Sequence, residues 1–134
     1  MATLSVNLKL TSTDISNNEV LSLDVSSPAG KLSVTDPFIG LAQVAATTTG
    51  NETIILTSHS SIRYLYLKHT GVDASGSNAT ATLQVEIENG KSFGELGADE
   101  FLFVPIGQNG GSVAVQLEAS SGTIVAEYAF FTKV

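Results

Sequence analysis

Few side chains in this sequence could do chemistry, and their spacing decides what each can do. The histidines are His59 and His69. A metal site needs ligands at i, i+2 or i, i+4 with supporting carboxylates, and neither histidine has them. Both are therefore read as strand-end residues making ordinary hydrogen bonds. Ser58-His59-Ser60 sets a hydroxyl beside an imidazole. Adjacent residues on a strand point to opposite faces, so that base cannot reach that nucleophile. No Gly-x-Ser-x-Gly elbow occurs. Glu95, Asp99 and Glu100 form the densest acidic cluster, with oxygens of the kind Ca²⁺ favours. Their spacing fits no cation loop, and a solvated acidic rim is the expectation. Gly107–Gly111 is glycine-rich but leads into a strand, without the helix N-terminus a phosphate cradle uses. With no cysteine, thiol nucleophiles, thiolate metal sites and disulfides are excluded. The sequence therefore predicts no catalytic residue, no metal site and no cofactor.

Composition narrows the class further. The 134 residues suit one domain over 1–134. Charged residues make up 14%, against about 25% in an average soluble domain. Ser, Thr, Asn and Gly fill the gap, which favours strands and turns over helices. The formal charge of −7 repels a phosphate backbone, and the absence of Trp and of a basic patch removes base stacking, so nucleic acid is not an expected partner. No run of about 18 apolar residues exists to span a bilayer, and the first residues lack a secretory pattern. The expectation is a chain folded in a reducing cytoplasm. Asn51-Glu52-Thr53 and Asn78-Ala79-Thr80 match the glycosylation pattern but carry no weight without secretion.

The elements around these residues read as strands. Leu4, Val6, Leu8 and Leu10 alternate with polar residues, and turn-formers at 12–18 end the run. Leu21, Leu23 and Val25 mark a second strand, closed by Pro28-Ala29-Gly30, and Lys31–Thr35 opens a short third one. Residues 37–46 admit a strand or a helix. A turn over Asp36–Gly40, a strand over Leu41–Thr48 and a hairpin at Gly50-Asn51 into Thr53–Ser58 are favoured. Ile62–His69 is the central strand, since it is apolar on both parities. Ala79–Glu88 looks like an edge strand ending at Asn89-Gly90. Phe93 and Leu96 are isolated anchors in an irregular stretch, Glu100–Ile106 ends or lies at an edge because of Pro105, and Gly107–Gly111 turns into Ser112–Ala119. Ser120-Ser121-Gly122 makes a last hairpin into Thr123–Thr132. Eight or nine short strands at this spacing predict an all-β antiparallel sandwich, jelly-roll-like.

Two strands carry more apolar surface than one core can use. Tyr64 and Tyr66 oppose Leu65 and Leu67 in parity, and Tyr128 and Phe130 oppose Phe131. One parity of each strand fills the core, and the other must be buried elsewhere. Tyr64, Tyr66, Tyr128, Phe130 and Phe131 are accordingly the expected interface of a homo-oligomer, a trimer, with Arg63 and Glu127 pairing at its rim.

Asp36-Pro-Phe-Ile-Gly-Leu41, Arg63-Tyr-Leu-Tyr-Leu-Lys-His-Thr-Gly71, Glu100-Phe-Leu-Phe-Val-Pro105 and Glu127-Tyr-Ala-Phe-Phe131 together resemble small virion structural proteins of tailed bacteriophages, particularly cyanophages. The resemblance covers most of the chain from Asp36 onward. It implies a non-enzymatic particle component: a capsid decoration, or cement, protein that binds the outer head surface and stabilises capsomer contacts. Its partners would be copies of itself and the major capsid protein or another virion protein, in a virion assembled in the host cytoplasm. The alternatives are a tail, neck or baseplate component, or a carbohydrate- or receptor-binding jelly-roll module.

Overall fold

The computed structural model describes residues 2–4, 7–16, 19–26, 32–48, 50, 52–87, 91–106 and 113–133. These residues contain eleven strands and no helix. They group into two compact units, Met1–Asp36 and Pro37–Lys133.

In the first unit, β1 (Ala2–Leu4) lies antiparallel to the start of β4 (Leu32–Ala46), pairing Ala2 with Val34 and Leu4 with Leu32. Strands β2 (Asn7–Ser16) and β3 (Glu19–Ser26) form an antiparallel ribbon in which Leu8 pairs with Val25 and Leu10 with Leu23. The expected break at 12–18 comes later, because β2 continues to Ser16 across a register shift. Such a shift absorbs the turn-formers without ending the strand.

The second unit is a β-sandwich. One sheet has the order β4, β11 (Ile124–Lys133), β6 (Ile62–His69), β9 (Phe101–Pro105). The other has the order β5 (Thr53–His59), β10 (Val113–Ala119), β7 (Leu83–Ile87), β8 (Lys91–Leu96). Each sheet sends alternate residues inward. Ile62, Leu65, Leu67, Ile124, Ala126 and Phe130 come from the first sheet, and Leu56, Leu83, Val85, Val113, Val115 and Leu117 from the second, into one core. Each large side chain buried there contributes about 1.5–3 kcal/mol.

Strand β6 is interior to its sheet, as its two apolar parities predict. One irregularity sets its faces. Phe131 pairs with Tyr64 while Thr132 pairs with Ile62, so Arg63 is an extra residue in a bulge. The bulge returns Ile62 to the side of Leu65 and Leu67, although its parity in sequence is that of the tyrosines.

Several expectations are corrected. Strand β4 runs unbroken through Asp36–Gly40 with neither turn nor helix. The residue before a proline is pushed toward extended backbone. Gly50 does not make a hairpin, because β4 and β5 belong to different sheets. The chain leaves β4 beside the end of β10, where the Ala119 N–H donates to the Thr47 carbonyl at 2.7 Å. Ser120–Gly122 likewise crosses between sheets, from β10 to β11. Strand β7 is interior rather than an edge, and Phe93 and Leu96 lie on a true edge strand, β8. There the register shifts at Phe93, a bulge of the kind that blunts an edge against further pairing. The turns expected at Pro28–Gly30, Asn89-Gly90 and Gly107–Gly111 lie outside the described residues.

Candidate interaction face

The polar groups singled out in the sequence serve the turns. His69 is fully buried at the end of β6. The Gly71 N–H donates to its Nδ1 at 2.9 Å, so that nitrogen carries no proton and Nε2–H donates to the Ala81 carbonyl at 3.0 Å. His59 Nδ1 accepts from the Ser61 N–H at 3.2 Å. Glu95 accepts from the Thr82 hydroxyl, and Glu100 Oε2 accepts from the Gly97 N–H at 2.7 Å. Asp99 has a φ of 66° and sets its carboxylate beside Gly71. The acidic cluster is thus spread over separate local tasks. Among the described residues, no group of three His, Asp or Glu side chains converges as a metal ligand set.

The 71–78 loop is organised by another carboxylate. Asp73 Oδ1 accepts from the Ser75 N–H, the Ser75 hydroxyl and the Ser77 N–H at 2.8, 2.7 and 2.9 Å. The Ser75 hydroxyl first, then the Ser77 N–H, hold this carboxyl below the usual Asp range.

What stands out is the outer face of the sheet β4-β11-β6-β9. Registry places Tyr64, Tyr66 and Lys68 of β6 opposite Phe131, Ala129 and Glu127 of β11, in that order. On the other side the same three face Pro105, Phe103 and Phe101 of β9. In β4, Val44 packs on the core and Ala46 is buried, so Leu41, Gln43 and Ala45 share the outer side. Outer faces of antiparallel sheets are ordinarily polar. This one carries charge only at Lys68 and Glu127 among these positions.

The rings are ordered. Tyr64 stacks on Phe103 with centroids 5.7 Å apart and planes 9° from parallel, and Phe103 tilts against Phe131 at 6.3 Å. The Tyr66 hydroxyl donates to Glu127 Oε1 at 3.1 Å. Burial first, then that hydrogen bond and the carboxylate's charge, push the Tyr66 phenol above its ordinary range. Ala129 lies at the bottom of this surface, 4% exposed, while Phe101 and Leu41 at the two edges are 64% and 69% exposed.

The structure therefore divides the expected interface residues. Tyr64, Tyr66 and Phe131 meet on the outer face. Phe130 is fully buried in the core, and Tyr128 packs there against it, edge to face at 5.8 Å. Neither Phe130 nor Tyr128 belongs to the outer surface. Arg63 does not meet Glu127: its Nη1 donates to the Ser60 and Ile62 carbonyls at 2.7 and 2.9 Å, curled over its own bulge. Phe101 and Phe103 were not among the expected interface residues. Their shared parity, next to a proline that marks an edge, is the signal that identifies them. No protein-family model, no curated protein and no solved structure matches this chain.

Proposed function

We propose that this protein is a non-enzymatic structural subunit of a tailed-bacteriophage particle, a decoration protein that binds the outer surface of the head and stabilises capsomer contacts. The observation that carries this reading is the aromatic outer face, a surface suited to assembly rather than to water. The engagement of His59, His69, Glu95 and Glu100 in local hydrogen bonds supports a structural over a catalytic role. Strand order supports the jelly-roll form. From β4 to β11, only the β7–β8 connection stays within a sheet, and the orders β4-β11-β6-β9 and β5-β10-β7-β8 are those of eight strands wound as a double Greek key. That architecture recurs in viral capsid proteins. The resemblance of Asp36–Leu41, Arg63–Gly71, Glu100–Pro105 and Glu127–Phe131 to small phage virion proteins adds the particle.

The test is a particle stripped of this protein and then reconstituted. Loss of resistance to heat and osmotic shock on stripping, restored on adding the protein back, is the expected result. Undiminished resistance removes the cementing role. Immunogold labelling on the tail instead of the head would replace the head assignment with that of a tail component.

A further inference from the structure

We propose that the outer face of the sheet β4-β11-β6-β9 binds the same face of a second copy, about a twofold axis running along the line between β6 and β11. Such a contact is isologous, so each residue on one side of the axis lies over its mirror position in the other copy. Because β6 and β11 pair in direct register, the mirror position of each residue is its own ladder partner. Lys68 then lies over Glu127, Tyr66 over Ala129 and Tyr64 over Phe131, and each relation occurs twice.

All three relations are complementary. Lys68 and Glu127 are opposite charges, and among the positions of this face named above they are the charged ones, in a chain that carries −7. Self-association of so acidic a chain is least opposed where positive and negative groups balance. Tyr66 is large, and the Ala129 it would cover is the deep point of the surface. Tyr64 and Phe131 supply ring against ring, both already ordered by Phe103. Farther out, β9 with the exposed Phe101 lies over β4 with the exposed Leu41, the two edge strands of the face. Facing sheets cross at about 30°, so the match is tightest at the axis, where the charged and Tyr66–Ala129 relations sit. This pairing does not depend on the particle assigned above. It also replaces the trimer expected from the sequence with a dimer.

Sedimentation and light scattering at micromolar concentration should give twice 13.9 kDa. Lys68→Glu and Glu127→Lys should each weaken the dimer on the order of a hundredfold or more, since each puts like charges together twice. The double variant K68E/E127K should recover it. A second test uses the absence of native cysteine. Lys68→Cys chains treated with a bis-maleimide that spans the ~10 Å between facing sheets should cross-link into dimers, as should Lys68→Cys mixed with Glu127→Cys, while Gln84→Cys, on β7 of the opposite sheet, should not. Cross-linking decides the matter should a charge-reversal variant fail to fold. A monomer, a trimer, a double variant no tighter than the single ones, or Gln84→Cys chains linking as efficiently as Lys68→Cys chains overturns the proposal.

Discussion

The Tyr66 hydroxyl donates to Glu127 Oε1 at 3.1 Å, tying β6 to β11 on the outer side of their sheet. The two residues are 61 positions apart and are not direct ladder partners, since Tyr66 faces Ala129 and Glu127 faces Lys68. The bond is therefore diagonal, and it crosses the small Ala129 side, where a larger neighbour would fill the space. The half-buried Glu127 carboxylate finds its hydrogen bond at the tyrosine within diagonal reach on the neighbouring strand.

A pH dependence follows. Burial first, then the hydrogen bond to Glu127 and its charge, raises the Tyr66 pKa above its unfolded value. The stability linked to this group is complete below about pH 10, the ordinary phenol value, and is lost as pH rises through the higher folded value. Ultraviolet titration should show a phenol ionising above the ordinary phenol value. Tyr66→Phe should remove that step, and Glu127→Gln should move it only partway down, because burial remains. If Tyr66 ionises with the ordinary phenols, the hydrogen bond is not formed in solution.

The two faces of the sheet β4-β11-β6-β9 predict opposite outcomes for Phe130 of β11 and Phe101 of β9. Phe130 is fully buried against Leu65, its ladder partner, and Phe130→Ala should cost about 3–5 kcal/mol in urea unfolding. Phe101 is 64% exposed, and Phe101→Ser should stay within about 0.5 kcal/mol for the folding of the chain itself. Similar costs at the two sites would mean that the inner and outer sides are wrongly assigned.

His69 is a buried polar junction rather than a site for chemistry. Truncation to Ala leaves the half-buried Gly71 N–H and Ala81 carbonyl without their partner. Each stranded group costs about 1–3 kcal/mol, so His69→Ala should lose about 2–6 kcal/mol. Hydrogen exchange at Gly71 should quicken at the same time. An unchanged exchange rate would show that the Gly71 N–H is held by something else.

Much of this was legible in the sequence, and the rest was hidden for identifiable reasons. Alternation located the strands, because a half-buried strand must show water every second residue, and Leu83 and Val85 fell inward as expected. Double-parity hydrophobicity rightly made Ile62–His69 an interior strand. Turn chemistry was misread where it marks a reversal without saying which sheet receives the next strand. Gly50 and Ser120–Gly122 look like hairpin residues, yet both lie on connections that cross the sandwich. The Arg63 bulge was invisible because one extra residue changes parity without changing composition. Phe130 and Phe131 could not be sorted for a related reason. Both are large and apolar, and only the registry of β11 on β6 says which of them meets Leu65 and which meets Tyr64.

The last prediction concerns Gly71, where β6 passes into the 71–78 loop. Its φ of 78° lies in the left-handed region, which costs a residue bearing a Cβ about 1–2 kcal/mol. An added Cβ would also come within 3.0 Å of Asp99 Oδ1. Gly71→Ala should therefore destabilise by more than the backbone cost alone, as the Asp99 side chain is displaced. Gly94 provides the control, since its φ is not positive and a Cβ there meets nothing within 4 Å. Gly94→Ala should be nearly neutral. Asp99 itself has a left-handed φ of 66°, so Asp99→Gly relieves its own strain while removing the carboxylate that the Gly71 Cβ would strike. The two changes should then couple: Gly71→Ala should cost less in the Asp99→Gly background than in the native chain. Additive costs across that double-mutant cycle would show that the Asp99 carboxylate does not press on Gly71, and that backbone conformation alone demands glycine there.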